Sequence, residues 1–225
     1  MPFNTDPREI ALSLAAAAVI ILISFPIHEF SHALMAYRLG DSTARYQGRL
    51  TLDPRAHFDP LGGLILIISS LAGIGIGWAK PTPVNEYNLR YGRRGASLVA
   101  ASGPVSNLIL ATIFAIPVRL IWTTPELARA VADNIPALVV YDILWLVVLI
   151  NVFLFLFNLL PVPPLDGWKV LLGLVDARTA YSLRQFEQYG LIVLVLIILV
   201  GGRIISPFAF GIFDFLTGQS FLFGV

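Results

Sequence analysis

A chain of 225 residues with 57% hydrophobic and only 13% charged residues, and a mean hydropathy of +0.80, carries more apolar surface than a soluble core can hide. A net charge of +1, with basic residues only in short loop clusters, excludes nucleic acid as a partner, and the absence of cysteine excludes disulfides and thiolate ligands. The composition is that of an integral, multi-pass protein whose solvent is the lipid bilayer.

In chain order, the first apolar run begins at Ile10 and passes through alanines 15–18 without a cleavage-like boundary. It continues to Tyr37, longer than a signal-peptide core, so it is predicted to stay in the mature protein. A membrane-spanning helix needs about 20 residues, and spans are predicted over about 10–37, 96–122, 137–160 and 190–205. Residues 61–85 are the exception. Glycines at 62, 63, 73, 75 and 77 lead into "GWAKPTPVN", where two prolines enforce extended backbone.

Loop charge suggests how that exception sits. Arg38, Arg45, Arg49 and Arg55 follow the first span and only Arg8 precedes it, which places residues 38–60 in the cytoplasm and the N-terminus outside. Lys80, Arg90, Arg93 and Arg94 would be stranded outside if residues 61–78 crossed once. A re-entrant element, a short helix followed by an extended hairpin around 75–85, returns them to the cytoplasmic face; an ordinary span with a mildly basic outer loop is the alternative. The expected architecture is therefore all-α: a helical bundle with a short re-entrant helix and β-hairpin element on the cytoplasmic side. With no linker, charge block or internal repeat, residues 1–225 read as one domain. The phenylalanine-rich end, "PFAFGIFDFLTGQSFLFGV", is expected to anchor at the outer interface.

The motif "HEFSH" stands near the cytoplasmic end of the first span. His28 and His32 lie four positions apart, so on a helix they share one face and can grip one metal ion, with Glu29 beside them. His28 lies about 27 Å along the helix from Ile10 and about 14 Å from Tyr37. Ionisable groups at such depth cost several kcal/mol unless paired, bound to metal or facing water. The plainer reading makes the histidines helix-packing groups hydrogen-bonded to neighbours.

A catalytic zinc site normally has three protein ligands. His57 lies in a polar stretch, Asp142 near the opposite face and Asp214 in the tail. Asp166 combines a carboxylate, the cytoplasmic side and a turn flanked by Pro163, Pro164 and Gly167; its plainer role is the N-cap of a short helix over 167–175.

"HEFSH" together with "FNLLPVPPLDG" resembles the site-2 protease family of intramembrane zinc metalloproteases, and "GRLTLDPRAHFDPLGG", "GWAKPTPVN" and "ASGPVSN" resemble its compact bacterial and archaeal branch without a PDZ domain. The likeness covers most of residues 20–175. It implies His28, His32 and Asp166 as ligands of one Zn2+, Glu29 as the catalytic acid/base, and Asn158 as a polar group that orients substrate or stabilises an oxyanion. Gly103 and Pro104 match a position for close helix approach, whereas Asn107 and Asn151 read as interhelical hydrogen-bonding groups. Pro26 is placed to kink the first span. The implied activity is hydrolysis of peptide bonds in transmembrane or membrane-associated substrates, in a bacterial or archaeal cell membrane. The extended segment with Trp78, Pro81 and Pro83 is expected to receive the unwound substrate as an added strand. A zinc transporter and an inactive scaffold are the rival readings.

Overall fold

The computed structural model describes residues 6–220, except the side chains of 8, 9 and 199–201. The first apolar run forms α1 (Pro7–Val19), a π-helical turn (Ile20–Ser24) and α2 (Phe25–Arg38) in one rod. Pro26 has no N–H and its ring crowds the preceding turn. The widened turn absorbs it: Phe25 N–H reaches back to the Ile20 carbonyl, and the helix continues. The extra residue also turns Ser24 into the bundle, where it is fully buried.

Two short helices follow, α3 (Thr43–Tyr46) and α4 (Pro54–His57), then α5 (Pro60–Leu71), started by Asp59, whose carboxylate accepts the Gly62 N–H at 2.7 Å. At 12 residues, about 18 Å, α5 is too short to cross about 30 Å of hydrocarbon. The chain then reverses through Gly73 and Gly75, both in the left-handed region that suits glycine. It returns extended along α5. A Cβ on Gly77 would lie 2.8 Å from the Gly62 carbonyl oxygen, and one on Gly62 would lie 2.9 Å from the Trp78 ring, so glycine is what allows this approach. Among the described residues there is no β-strand; residues 74–85 run extended without a partner strand.

After a 3-10 turn (Glu86–Asn88) come α6 (Gly92–Thr123), α7 (Pro125–Ala132), α8 (Ile135–Asn158), α9 (Asp166–Leu174), α10 (Ala177–Arg184), a second 3-10 turn (Gln185–Tyr189) and α11 (Gly190–Thr217). Among the described residues three helices, Ile10–Arg38, Gly92–Thr123 and Ile135–Asn158, are long and apolar enough to cross a membrane; Ala177–Ile198 and Gly202–Thr217, bent at 69°, make a fourth if taken together. Helix α6 is the hub, packing against α2, α8, α9 and α11.

The tail does more than the sequence suggested. Ala209 and Phe213 are fully buried against Ala111, Ala115, Val118, Val148 and Val152, and the bundle core is built around them. Gln219 accepts the Trp145 indole N–H at 3.0 Å and donates to the Tyr141 hydroxyl at 2.6 Å. The end is two-sided: Ala209, Phe213, Thr217 and Gln219 face the bundle, whereas Phe208 and Phe215, 67% and 79% exposed, point away from it. Residues 221–225 of the predicted tail lie outside the described residues.

Candidate metal centre

Helix α2 presents His28 and His32 on one face, both buried, toward α6. Their Nε2 atoms lie 3.0 Å apart. Asp166 comes from the start of α9, 138 positions along the chain from His28. Its Oδ2 lies 3.1 Å from His28 Nε2 and 3.3 Å from His32 Nε2. The cap position of α9 belongs to Leu165, which makes no side-chain cap, so the N-cap reading of Asp166 gives way to one in which it faces the imidazoles. What aims α9 is its docking on α6: Arg93 donates to the Val175 and Asp176 carbonyls at 2.7 and 3.1 Å. The Trp168 indole N–H donates to Glu187 at 2.9 Å. A Cβ on Gly167 would run into the Leu159 and Leu160 carbonyls, so glycine lets the turn fold this tightly against the end of α8.

These donors fit a tetrahedral cation. Metal–ligand bonds of about 2.0–2.1 Å place ligand atoms about 3.3 Å apart, and the three donors are 3.0–3.3 Å from one another. Space fits as well. A Cβ on Gly103 would stand 2.6 Å from His28 Nε2 and as close to His32, filling the ground where an ion would sit. Gly103 was expected to serve close helix approach; its more demanding neighbours are the two rings. Pro104, next to it, removes one rung of α6.

The other ring nitrogens are committed. His32 Nδ1 donates to the Val99 carbonyl at 2.8 Å and His28 Nδ1 to Asn107 Oδ1 at 2.6 Å. Both Nε2 lone pairs are thereby free to bind metal. The alternative third donor His57 is turned away, its Nε2 donating to the Thr51 carbonyl at 2.7 Å.

Glu29 has an oxygen within 4.8 Å of both histidines. Its Oε2 accepts the Thr82 N–H at 2.7 Å, and the Thr82 hydroxyl donates to the Glu29 carbonyl at 3.0 Å. The extended segment thus lies directly over the glutamate. Arg49, 4% exposed, donates to the Lys80 carbonyl and, at 3.2 Å, to that of Pro81. Burial pushes its guanidinium below the ordinary value, and the charge of Glu29 opposes that. Lys80 N–H donates to the His57 carbonyl at 2.8 Å. Farther along, Asp41 accepts Asn85 N–H at 2.7 Å, Asn88 Nδ2 at 3.1 Å and Thr43 N–H at 3.1 Å. Burial works to raise its pKa, and these bonds, with one from the Thr43 hydroxyl, outweigh it and hold the carboxyl below its usual range.

Trp78 leans on α5 at Gly62, half its ring exposed; Pro81 reaches the site through its carbonyl on Arg49, and Pro83 is half-buried beside Thr82. Asn158 is not brought to the histidines by any of these contacts: its Nδ2 donates to the Leu154 carbonyl in its own helix at 2.9 Å. Sequence reasoning missed Arg49, Thr82 and Ser24, which no local pattern marks. Asn107 and Asn151 were read as interhelical hydrogen-bonding groups and do bond to each other across α6 and α8; that Asn107 also meets His28 went unread, its amide at bilayer depth being the available signal.

A family model described as Peptidase family M50 matches residues 16–201. Among similar curated proteins, "Putative zinc metalloprotease YwhC" of Bacillus subtilis is 40% identical over 200 residues, covering 87% of each chain. "Putative zinc metalloprotease Rip2" of Mycobacterium tuberculosis is 33% identical over 184 residues, 79% of this chain and 64% of that relative. The protein of the same name from Mycolicibacterium smegmatis is 30% identical over 206 residues, 89% of this chain and 74% of its own. No solved structure matches the chain.

Proposed function

The chain belongs to peptidase family M50, the site-2 protease family, and on that premise we propose that it is an intramembrane zinc endopeptidase cutting locally unwound transmembrane segments of other membrane proteins. It is an integral membrane protein. The observation that carries the reading is the meeting of His28 Nε2, His32 Nε2 and Asp166 Oδ2 within 3.3 Å of one another beside Glu29. His28, His32 and Asp166 hold the zinc. Bound there, zinc supplies Lewis acidity, making water a nucleophile near neutral pH and polarising a carbonyl.

The protein's own part is proton handling and positioning. Glu29 takes the proton from the attacking water and returns it to the leaving nitrogen of the cut peptide bond. Thr82 fixes the carboxylate for this by donating to one oxygen, leaving the other to face the water. Asn158 serves substrate orientation or the developing oxyanion after its side chain leaves the Leu154 carbonyl.

A transmembrane helix hides its peptide groups in hydrogen bonds and must unwind before attack. The backbone of residues 77–79 has no hydrogen-bond partner among the described residues, which supports Trp78, Pro81 and Pro83 as part of an edge that takes the unwound segment as an added strand. Residues 61–85 enter and leave on the cytoplasmic side, the N-terminus lies outside, and residues 1–225 act as one unit with its active site nearer the cytoplasm.

The test compares purified parent protein with Glu29→Gln for zinc content and cleavage of an unfoldable membrane-segment peptide. Zinc in both with cleavage by the parent alone is the expected result. Cleavage by both removes Glu29 from its role, and metal flux into liposomes without cleavage turns the reading to transport.

A further inference from the structure

Behind the metal-facing histidines lies a buried chain of polar side chains with no part in proton transfer or substrate contact. His28 Nδ1 meets Asn107 Oδ1 at 2.6 Å; Asn107 Nδ2 donates to Asn151 Oδ1 at 2.7 Å; Asn151 Nδ2 donates to Ser24 Oγ at 3.0 Å and to the Val147 carbonyl at 2.8 Å. Asn107, Asn151 and Ser24 are all 0% exposed. Three helical segments contribute: Ser24 from the π-helical turn, Asn107 from α6, and Val147 and Asn151 from α8.

The chain has a direction, and its far end sets it. A backbone carbonyl can only accept, so Asn151 must turn its NH2 toward Val147 and therefore its oxygen toward Asn107. Asn107 must then offer NH2 to that oxygen and its own oxygen to His28. An acceptor at Nδ1 requires the proton there, which leaves Nε2 with the lone pair a metal needs. The reversed chain would set two NH2 groups or two oxygens face to face in a dry interior. It would also place the imidazole proton on Nε2, against the site.

We infer that Asn107 and Asn151 are positioning residues that fix the tautomer of His28, the direction being dictated from the Val147 carbonyl through Asn151. This rests on the zinc reading above and adds residues which that reading does not use. It also gives a reason for two asparagines facing each other inside a bundle, where packing alone would be served by small apolar residues.

The experiment measures zinc affinity of the purified full-length protein by chelator competition, with the visible spectrum of the cobalt-substituted form and thermal unfolding alongside. The parent, Asn151→Leu, Asn107→Asp and the double variant Asn107→Asp/Asn151→Leu are compared. Asn151→Leu frees Asn107 to turn over, and zinc binding is expected to weaken about 10- to 100-fold, the usual span for a lost outer partner of a metal-binding histidine. A carboxylate at 107 accepts whichever way it is turned. The double variant is therefore expected to recover most of the affinity and the parent-like cobalt spectrum, although a buried acid lowers its thermal stability.

Unchanged affinity in Asn151→Leu overturns the inference. So does a double variant that binds no better than Asn151→Leu, since loss through general loosening of the bundle is not repaired by adding a charge. A parent that holds no zinc sinks the zinc reading itself, a failure visible before any variant is compared.

Discussion

Two supports meet at Glu29, and they are built from different materials. The helical wall of α2, α6 and α8 holds His28 and His32 by apolar packing and a polar chain that is wholly buried. The extended segment 74–85 is pinned from outside by scattered polar contacts: Ser69, His57, Arg49, Glu29 and Asp41 each take between one and three of its backbone groups. Helices satisfy their own amides, so a wall made of them can be dry and fixed; an extended strand must borrow partners, and where it finds none it can lend its groups to another chain. On the proposed function, metal geometry falls to the first kind of structure and substrate handling to the second.

Substitutions on the two sides should therefore fail differently, and the largest effect belongs to the wall. Gly103→Val places carbon against both Nε2 atoms; zinc content by elemental analysis should fall to background and cleavage with it. Phe213→Ala, deep in the same bundle, should cost about 3–5 kcal/mol of stability, read as a fall in thermal midpoint in detergent. Its zinc stoichiometry below that midpoint should match the parent.

The extended segment should show the opposite pattern. Arg49→Met loses both carbonyl contacts and should lower kcat/KM by roughly 10-fold, about 1.4 kcal/mol, with zinc affinity unchanged. If zinc affinity falls as steeply as cleavage, wall and segment are one structural unit and the contrast is wrong.

The smallest effect is electrostatic. The Asp41 carboxyl has a folded pKa below its ordinary value of about 4. The stability it contributes is present above that ordinary value and is lost as pH falls through the folded one. Asp41→Asn should therefore cost about 1 kcal/mol at pH 7, and the gap in thermal midpoint between parent and variant should close as the buffer is taken well below pH 4.

The reach of local pattern explains which features were legible. Four-residue spacing on a helix put His28 and His32 on one face, and hydropathy located the helices, because both are properties of neighbours. Asp166 was found by chemistry and membrane side, and it meets His28 across 138 positions. At the phenylalanine-rich end the pattern did not say which rings turn inward, because apolarity says that a residue leaves water without saying whether lipid or protein receives it: Phe213 went to protein, and Phe208 and Phe215 stay exposed.

What the sequence by itself determined, then, is the all-α membrane architecture and the shared helix face of His28 and His32, since hydropathy and helical period are written in single residues and near neighbours. Tertiary structure alone decided that Gly103 backs onto both imidazoles, where a side chain would crowd their Nε2 atoms, that Thr82 grips Glu29 from 53 positions away, and that Asn107 meets His28 from 79. Each is a matter of a few tenths of an ångström between segments far apart in the chain, and such distances exist only once the helices have packed.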